Sequence, residues 1–208
     1  MAETFPSPAE VVGGRIGAQL RFLVEVDQLK AVTRANTLVD GSRKETSAEH
    51  SWHVALMALV LCELAEPPLD ATKVVAMLLV HDIVEVDAGD TDPFDDEARA
   101  TKQEKEEAAA DRIFALLPAD QAAIFRAWWD EFEAAETPEA QAARAFDRFD
   151  GLVGNHAAAG NGAWAEPGRT VSSVRRRNEA VADWLPGLAP VVAALIDDAE
   201  ARGRLRPG

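Results

Sequence analysis

His81 and Asp82 lie inside an apolar run, VVAMLLVHDIV at positions 74–84, and this feature constrains the fold more than any other. An ionised carboxylate buried in such surroundings loses, roughly, several kcal/mol of hydration unless a positive charge lies beside it. Residues 74–98 contain no Lys or Arg. We therefore expect a cation from elsewhere in the molecule, and a divalent metal ion is the hypothesis that suits these two side chains.

Helical patterns dominate the sequence and predict an all-α fold. The predicted helices cover about residues 14–32, 47–66, 70–86, 101–117, 120–134, 138–156, 171–184 and 188–203. Ser47 is the expected N-cap of the second helix, without a full capping box because His50 stands where that motif has Glu. Residues 33–46 are polar, with a turn expected at Asp40-Gly41, and we expect no strand.

Composition excludes several classes of partner. The formal net charge is −15, which argues against duplex DNA, RNA or an anionic membrane surface as a main partner. No apolar run is long enough to span a membrane, and residues 1–8 lack the features of a signal peptide. Cys62 is the single cysteine and has no internal disulfide partner, so we expect a cytoplasmic location.

The chain offers further metal ligands besides the His81-Asp82 pair. His50 lies on the inward face of the second predicted helix, and Asp147 and Asp150 share one row of a later helix. Imidazole nitrogen and carboxylate oxygen suit Mn, Fe, Co, Ni, Cu or Zn. Two histidines and two aspartates leave coordination positions open, which is typical of a catalytic site. Helical spacing alone leaves the choice between Asp147 and Asp150 open.

Two segments, SAEHSWH at 47–53 and HDIVEVDAGD at 81–90, followed by a distant Asp, resemble the HD-domain metal-dependent phosphohydrolases. The resemblance is to the branch of 5′-deoxynucleotidases of the YfbR and HDDC2 type. It implies an all-α HD-domain helical bundle: one domain over residues 1–208, with a core at about 15–185 and a closing helix at 188–203.

The resemblance also implies one divalent metal ion (Mn, Co, Fe, Ni, Cu, Zn or Mg). In the family pattern the ligands correspond to His50, His81, Asp82 and Asp147. Residues 83–146 contain no histidine, which departs from diiron relatives and favours a mononuclear site.

Two carboxylates are the expected catalytic residues. Glu85 lies one helical turn after His81, and we expect it to orient or deprotonate the attacking water, together with Asp82. Asp90 matches a substrate-binding Asp of the family. Gly89 precedes it and would allow a positive φ at the turn.

A phosphate ester also needs cations and proton donors. Arg34, Arg43 and Lys44 precede the second predicted helix and are expected to bind phosphate. Ala35 follows Arg34 where the family often has Trp nearby, which leaves stacking on a nucleoside base without its usual residue. His53 is interpreted as a phosphate donor or an acid for the leaving group, or else as a packed helix residue.

The predicted function is metal-dependent hydrolysis of small phosphate monoesters, with deoxynucleoside 5′-monophosphates favoured. One alternative is hydrolysis of another phosphorylated metabolite or a pyrophosphate bond. A second alternative is a non-catalytic HD module that binds nucleotide. The resemblance and the apolar pair Trp128-Trp129 favour a homodimer.

Overall fold

The computed structural model describes residues 11–66, 68–92, 94 and 101–208. The predicted all-α fold is confirmed. The helices within these ranges are α1 (Gly14–Val26), α2 (Ser47–Leu61), α3 (Ala71–Val80), α4 (Glu85–Ala88), α5 (Lys102–Phe114), α6 (Ala119–Ala134), α7 (Pro138–Ala157), α8 (Val171–Trp184) and α9 (Ala189–Ala201). The prediction that residues 1–8 are not a signal peptide concerns residues outside the described ranges. None of the described helices combines the length and the apolar character needed to cross a membrane.

The expectation that residues 33–46 contain no strand is wrong. They form an antiparallel hairpin of β1 (Thr33–Thr37) and β2 (Lys44–Thr46), with Thr33 opposite Thr46. The expected turn is present, and Gly41 adopts a φ of 70° there. Threonine is β-branched and favours strands, which explains how so polar a segment pairs.

α2 begins with a full capping box, so the prediction without one is wrong. Thr46, not Ser47, is the N-cap: its side chain accepts from the Glu49 amide, and the Glu49 carboxylate accepts from the Thr46 amide. Two otherwise unpaired amide groups are thereby satisfied. The Ser47 hydroxyl is left available for a contact with another element.

The predicted third helix, 70–86, is interrupted. α3 ends at Val80, and a tight turn follows in which Ile83 N donates to Val80 O (3.1 Å) and Glu85 N donates to Asp82 O (3.0 Å). α4 then begins at Glu85. This turn carries Asp82 and Glu85 away from the helical path.

The core consists of two apolar clusters. The larger one includes the fully buried Val54, Met77 and Phe146 of α2, α3 and α7, and these three helices pack against one another. The smaller cluster centres on Ile113 and Phe114 of α5. Polar side chains at the contact of α2, α3 and α7 are consequently held by rigid, buried backbone.

Candidate metal centre

Four predicted metal ligands converge from α2, α7 and the turn after α3. His50 Nε2 lies 3.0 Å from Asp147 Oδ1 and 3.9 Å from Asp82 Oδ2. His81 Nε2 lies 3.1 Å from Asp82 Oδ1 and 3.9 Å from Asp147 Oδ1. One ligand atom each from His50, His81 and Asp147 fall within 4.8 Å of one another. These spacings suit one small cation held by His50, His81 and Asp147, and Asp82 lies in contact with His81 beside them.

The imidazole of His81 is oriented for coordination. Its Nδ1 lies 2.7 Å from the carbonyl oxygen of Leu78, to which a protonated Nδ1 donates. The lone pair then resides on Nε2, which is buried and has no hydrogen-bond partner among the described residues. An unsatisfied buried nitrogen is costly, and a metal ion would satisfy it.

His50 is fully buried and has one carboxylate on each side of its ring. Nδ1 lies 3.0 Å from Asp150 Oδ2, whereas Nε2 faces Asp147. The two aspartates that helical spacing alone could not distinguish therefore have different environments. Asp147 is on the side of the other ligands, and Asp150 is behind the ring, where a carboxylate typically orients a metal-binding histidine.

The carboxylates around His50 stabilise a positive charge between the four predicted ligands. Burial and Arg34 lower the pKa of His50, but the hydrogen bonds with Asp147 and Asp150 outweigh them and raise that pKa to about 10. Burial opposes ionisation of Asp147, yet its hydrogen bond to His50 holds its pKa well below the ordinary value. Two imidazoles and two carboxylates in this field are a donor set that fits a divalent transition-metal ion.

Glu85 lies beside this cluster and is buried. Ser47 Oγ donates to Glu85 Oε2 at 2.6 Å, the contact that the shifted N-cap makes available. Burial, reinforced by Asp82, raises the pKa of Glu85 well above its ordinary value, although Arg34 and Ser47 act in the opposite direction. Carboxyl groups whose pKa values are shifted in this way are concentrated at functional sites.

Arg34 extends from β1 over the carboxylates. Its Nη1 donates to Asp82 Oδ2 at 2.8 Å and lies 3.8 Å from Asp90 Oδ1, and Nη2 lies 4.0 Å from Asp147 Oδ1. Although burial opposes the charged form, these carboxylates raise the pKa of Arg34 above its already high value. Its Nε is buried without a partner among the described residues, so the guanidinium retains donor capacity.

Several of the residues described above line a cavity of about 960 Å³. Its lining includes Arg34, Asp82, Glu85, Asp90, Asp147 and Trp164. β1 is fastened at the cavity wall because Asn155 Nδ2 donates to Asn36 Oδ1 at 2.9 Å. Gly89 has the expected positive φ, 74°, immediately before Asp90. The volume accommodates a ligand of nucleotide size.

Three predicted substrate-binding residues do not line this cavity. Arg43 is exposed and donates to Glu49 at 2.8 Å, and Lys44 lies with it beside a shallower depression near Trp52. His53 Nδ1 lies 2.6 Å from Asp150 Oδ1, on the far side of that carboxylate from the metal ligands. β1 and β2 are paired, yet Arg34 lines the cavity whereas Arg43 and Lys44 line the other depression.

Sequence reasoning missed two polar residues of the site. Ser47 was interpreted as a helix cap, and its contact with Glu85 depends on the approach of two distant segments. Arg177 of α8 lines the cavity. A signal for it exists, because Arg177 lies three residues after Val174 and four before Val181, both buried. An arginine on the inward face of a helix predicts an anionic partner.

A family model described as HD domain matches residues 26–188. The chain belongs to the HD domain family. The predicted family resemblance is thereby confirmed, together with the helical bundle that it implies.

Several curated relatives are similar over most of the chain. The 5′-deoxynucleotidase HDDC2 of Bos taurus is 34% identical over 150 residues, 71% of each chain. The human protein of the same name is 32% identical over 148 residues, again 71% of each chain.

Solved structures have the same fold. A predicted metal-dependent phosphohydrolase from Magnetospirillum magnetotacticum MS-1 superposes with a TM-score of 0.87 at 44% identity, over 93% of this chain and 96% of that one. The PH0347 protein from Pyrococcus horikoshii OT3 has a TM-score of 0.62 at 21% identity, over 85% and 99% of the two chains. The second similarity concerns the fold alone.

Proposed function

We propose that this chain is a metal-dependent phosphohydrolase that converts deoxynucleoside 5′-monophosphates to nucleoside and phosphate. The observation that carries the proposal is the unsatisfied Nε2 of His81 in a group with His50 and Asp147, with Asp82 in contact and the buried Glu85 nearby. The predicted enzyme class agrees with the comparisons, since the curated relatives named above are 5′-deoxynucleotidases. The substrate is inferred from those relatives and from the size of the cavity.

The proposed metal ligands are His50, His81, Asp82 and Asp147, with Asp150 as the residue that orients His50. A divalent ion held there would act as a Lewis acid and make a coordinated water more acidic. Donor sets of two nitrogens and two oxygens accept several metals, so the choice among Mn, Co, Fe, Ni, Cu, Zn and Mg stays a prediction.

The remaining roles follow from positions in the cavity. Glu85 is proposed to accept a proton from the attacking water, because it is buried in the cavity lining beside the proposed ligand Asp82. Arg34 is proposed to neutralise phosphoryl oxygens through its planar donors. Asp90 is proposed to hydrogen-bond a substrate hydroxyl. Phosphate binding by Arg43 and Lys44 stays a prediction and requires Arg43 to leave Glu49.

A substrate panel tests the proposed function. The purified protein is incubated with deoxynucleotides, ribonucleotides, sugar phosphates and pyrophosphate, each with Mn, Co, Ni, Mg or Zn, and released phosphate is measured. We expect deoxynucleoside 5′-monophosphates to be hydrolysed fastest. Preference for pyrophosphate or a sugar phosphate would favour the first alternative function. Tight nucleotide binding without release of phosphate would favour the non-catalytic module.

The matching variant experiment uses Asp82→Ala, which we expect to abolish both metal binding and turnover. Asp197→Ala serves as the control, because Asp197 pairs with Arg175 on the surface, outside the cavity. Full metal-dependent activity in Asp82→Ala would contradict the mechanism.

A homodimer and a cytoplasmic location are also proposed, as is the single domain over residues 1–208. Trp129 is buried in the core and does not serve an interface. α2 instead exposes Trp52, Leu56, Leu59 and Val60 on one helical face. Sedimentation of wild type and Leu59→Glu tests the dimer, and a monomeric wild type would contradict it.

A further inference from the structure

Arg177 is a cation of the cavity whose charge has no carboxylate partner. Its partly buried side chain extends from α8 into the lining, and no carboxylate of the described residues lies within ion-pair distance. Most other cationic side chains of the same lining are paired, among them Arg34 with Asp82, Lys102 with Glu106, Arg144 with Glu133 and Arg169 with Asp92. Arg176 has no ion pair among the described residues either, but its side chain is exposed to solvent. Arg177 therefore differs from these paired side chains because it is partly buried and has no carboxylate partner among the described residues.

The surroundings of Arg177 make that unpaired charge unfavourable. Burial lowers the pKa of its guanidinium; Asp147 and Asp92 oppose this shift, whereas Arg148 and Arg34 add to it. The guanidinium lies 6.0 Å from the ring centroid of Phe94, and Arg169 stacks on the same ring at 4.0 Å. An aromatic ring supplies only part of the stabilisation that a buried cation needs. An anionic ligand in the cavity would supply the remainder.

The charges around Arg34 favour a phosphate monoester as the anion that Arg177 would bind. Three carboxylates, those of Asp82, Asp90 and Asp147, lie within 4.0 Å of the Arg34 guanidinium. Arg34 and a divalent ion would together neutralise them and leave no excess positive charge. A phosphate monoester adds a charge of about −1.5 to −2 at neutral pH. Arg177 is positioned to balance part of this added charge.

We propose that Arg177 binds a phosphoryl oxygen of the substrate, so that the phosphate is held between Arg34 from β1 and Arg177 from α8. The proposal rests on the proposed function, since it concerns the phosphate group of the same reaction. The planar guanidinium offers paired donors that match phosphate oxygens, which the ammonium of lysine does not reproduce. Substrate binding would thereby connect α8 with the hairpin across the cavity.

The test uses inorganic phosphate as the probe, in calorimetric titrations of the full chain with and without Mn²⁺. The variants are Arg177→Met and Arg177→Lys. Arg175→Met is the matched control, because Arg175 lies on the same helix and pairs with Asp197 at the surface. We expect Arg177→Met to weaken phosphate binding about tenfold to hundredfold, as loss of a charged hydrogen bond does. The phosphate affinity of Arg177→Lys should lie between those of wild type and Arg177→Met. The phosphate affinity of Arg175→Met should equal that of wild type.

A second measurement separates substrate binding from metal binding. Mn²⁺ affinity should be unchanged in Arg177→Met, whereas KM for a hydrolysed phosphate ester should rise in proportion to the loss of phosphate affinity. Wild-type phosphate affinity in Arg177→Met would overturn the proposal, whatever substrate the enzyme prefers. If Arg177→Met loses its circular-dichroism signal, Arg177→Lys decides, and unchanged phosphate affinity there overturns the proposal.

The two proposals fail in different ways. A wild-type protein that hydrolyses no phosphate ester contradicts the proposed function. If phosphate binding is still weakened by Arg177→Met, the anion-binding role of Arg177 stands without it.

Discussion

Replacement of one aspartate by asparagine, at Asp147 or at Asp150, separates metal coordination from orientation of a ligand. Both carboxylates lie 3.0 Å from the His50 ring, Asp147 at Nε2 and Asp150 at Nδ1. Asparagine keeps the shape of the side chain and removes the negative charge. The two changes are therefore matched in chemistry and differ in the side of the imidazole that they affect.

The expected losses differ in size. Asp150→Asn leaves a carbonyl oxygen that can still accept from His50 Nδ1, but the charge that orients the ring is gone. Loss of such an orienting partner weakens metal binding about 10- to 100-fold, or about 1.4 to 2.7 kcal/mol. Asp147→Asn removes a proposed ligand itself, so we expect a loss larger than about hundredfold. Asp150 is 4% exposed, so solvent cannot replace it easily.

The assay is calorimetric titration of each folded variant with Mn²⁺, with Asp197→Asn as the surface control. The expected order of affinity is wild type and Asp197→Asn, then Asp150→Asn, then Asp147→Asn. The reverse order of the last two would refute the assignment of Asp147 as ligand and Asp150 as orienting residue. Equal affinities in all four proteins would refute the metal centre.

Three further predictions concern the surroundings of the site. Ser47→Ala removes the 2.6 Å hydrogen bond that lowers the pKa of Glu85. The limb of the kcat/KM pH profile that reports Glu85 should therefore move to higher pH. A limb that does not move argues against Glu85 as the base. Gly89→Ala places a side chain at φ 74° and ψ 158°, so the free energy of unfolding in urea should fall by about 1–3 kcal/mol. KM should rise as well, because Asp90 shifts. Unchanged stability would contradict this and mean that the turn relaxes. Ile113→Ala opens a cavity at a fully buried position, so the free energy of unfolding in urea should fall by about 2–5 kcal/mol. The Mn²⁺ affinity of the folded protein should stay at the wild-type value. A weakened Mn²⁺ affinity would show that this apolar cluster is coupled to the metal centre.

The helices were predictable because their signals are local. α7 is predicted at 138–156 and runs Pro138–Ala157, and α8 agrees with its predicted bounds. Proline, side-chain caps and helical periodicity all act within a few residues, so a single segment carries the information. The end of α3 was less predictable, since nothing in the apolar run distinguishes a turn at 81–84 from a continued helix.

The convergence of His50, His81, Asp82 and Asp147 was also predictable, though for another reason. Buried histidine and aspartate in apolar helices require partners, and the two motif segments indicate which family supplies the arrangement. Whether Arg43 or Arg34 reaches these ligands was not predictable from spacing. The β-hairpin decides it, and its pairing depends on contacts between residues far apart in sequence.

Residue types and their spacing alone determined a helical chain with ionisable groups buried in its core, and hence a need for a cation. Tertiary structure alone decided that Asp150 lies behind His50, that Ser47 meets Glu85 and that Arg177 enters the cavity. The physical reason is that hydrogen-bond and ion-pair partners are selected by distances of about 3 Å between side chains. Such distances are set only when helices and hairpin pack together.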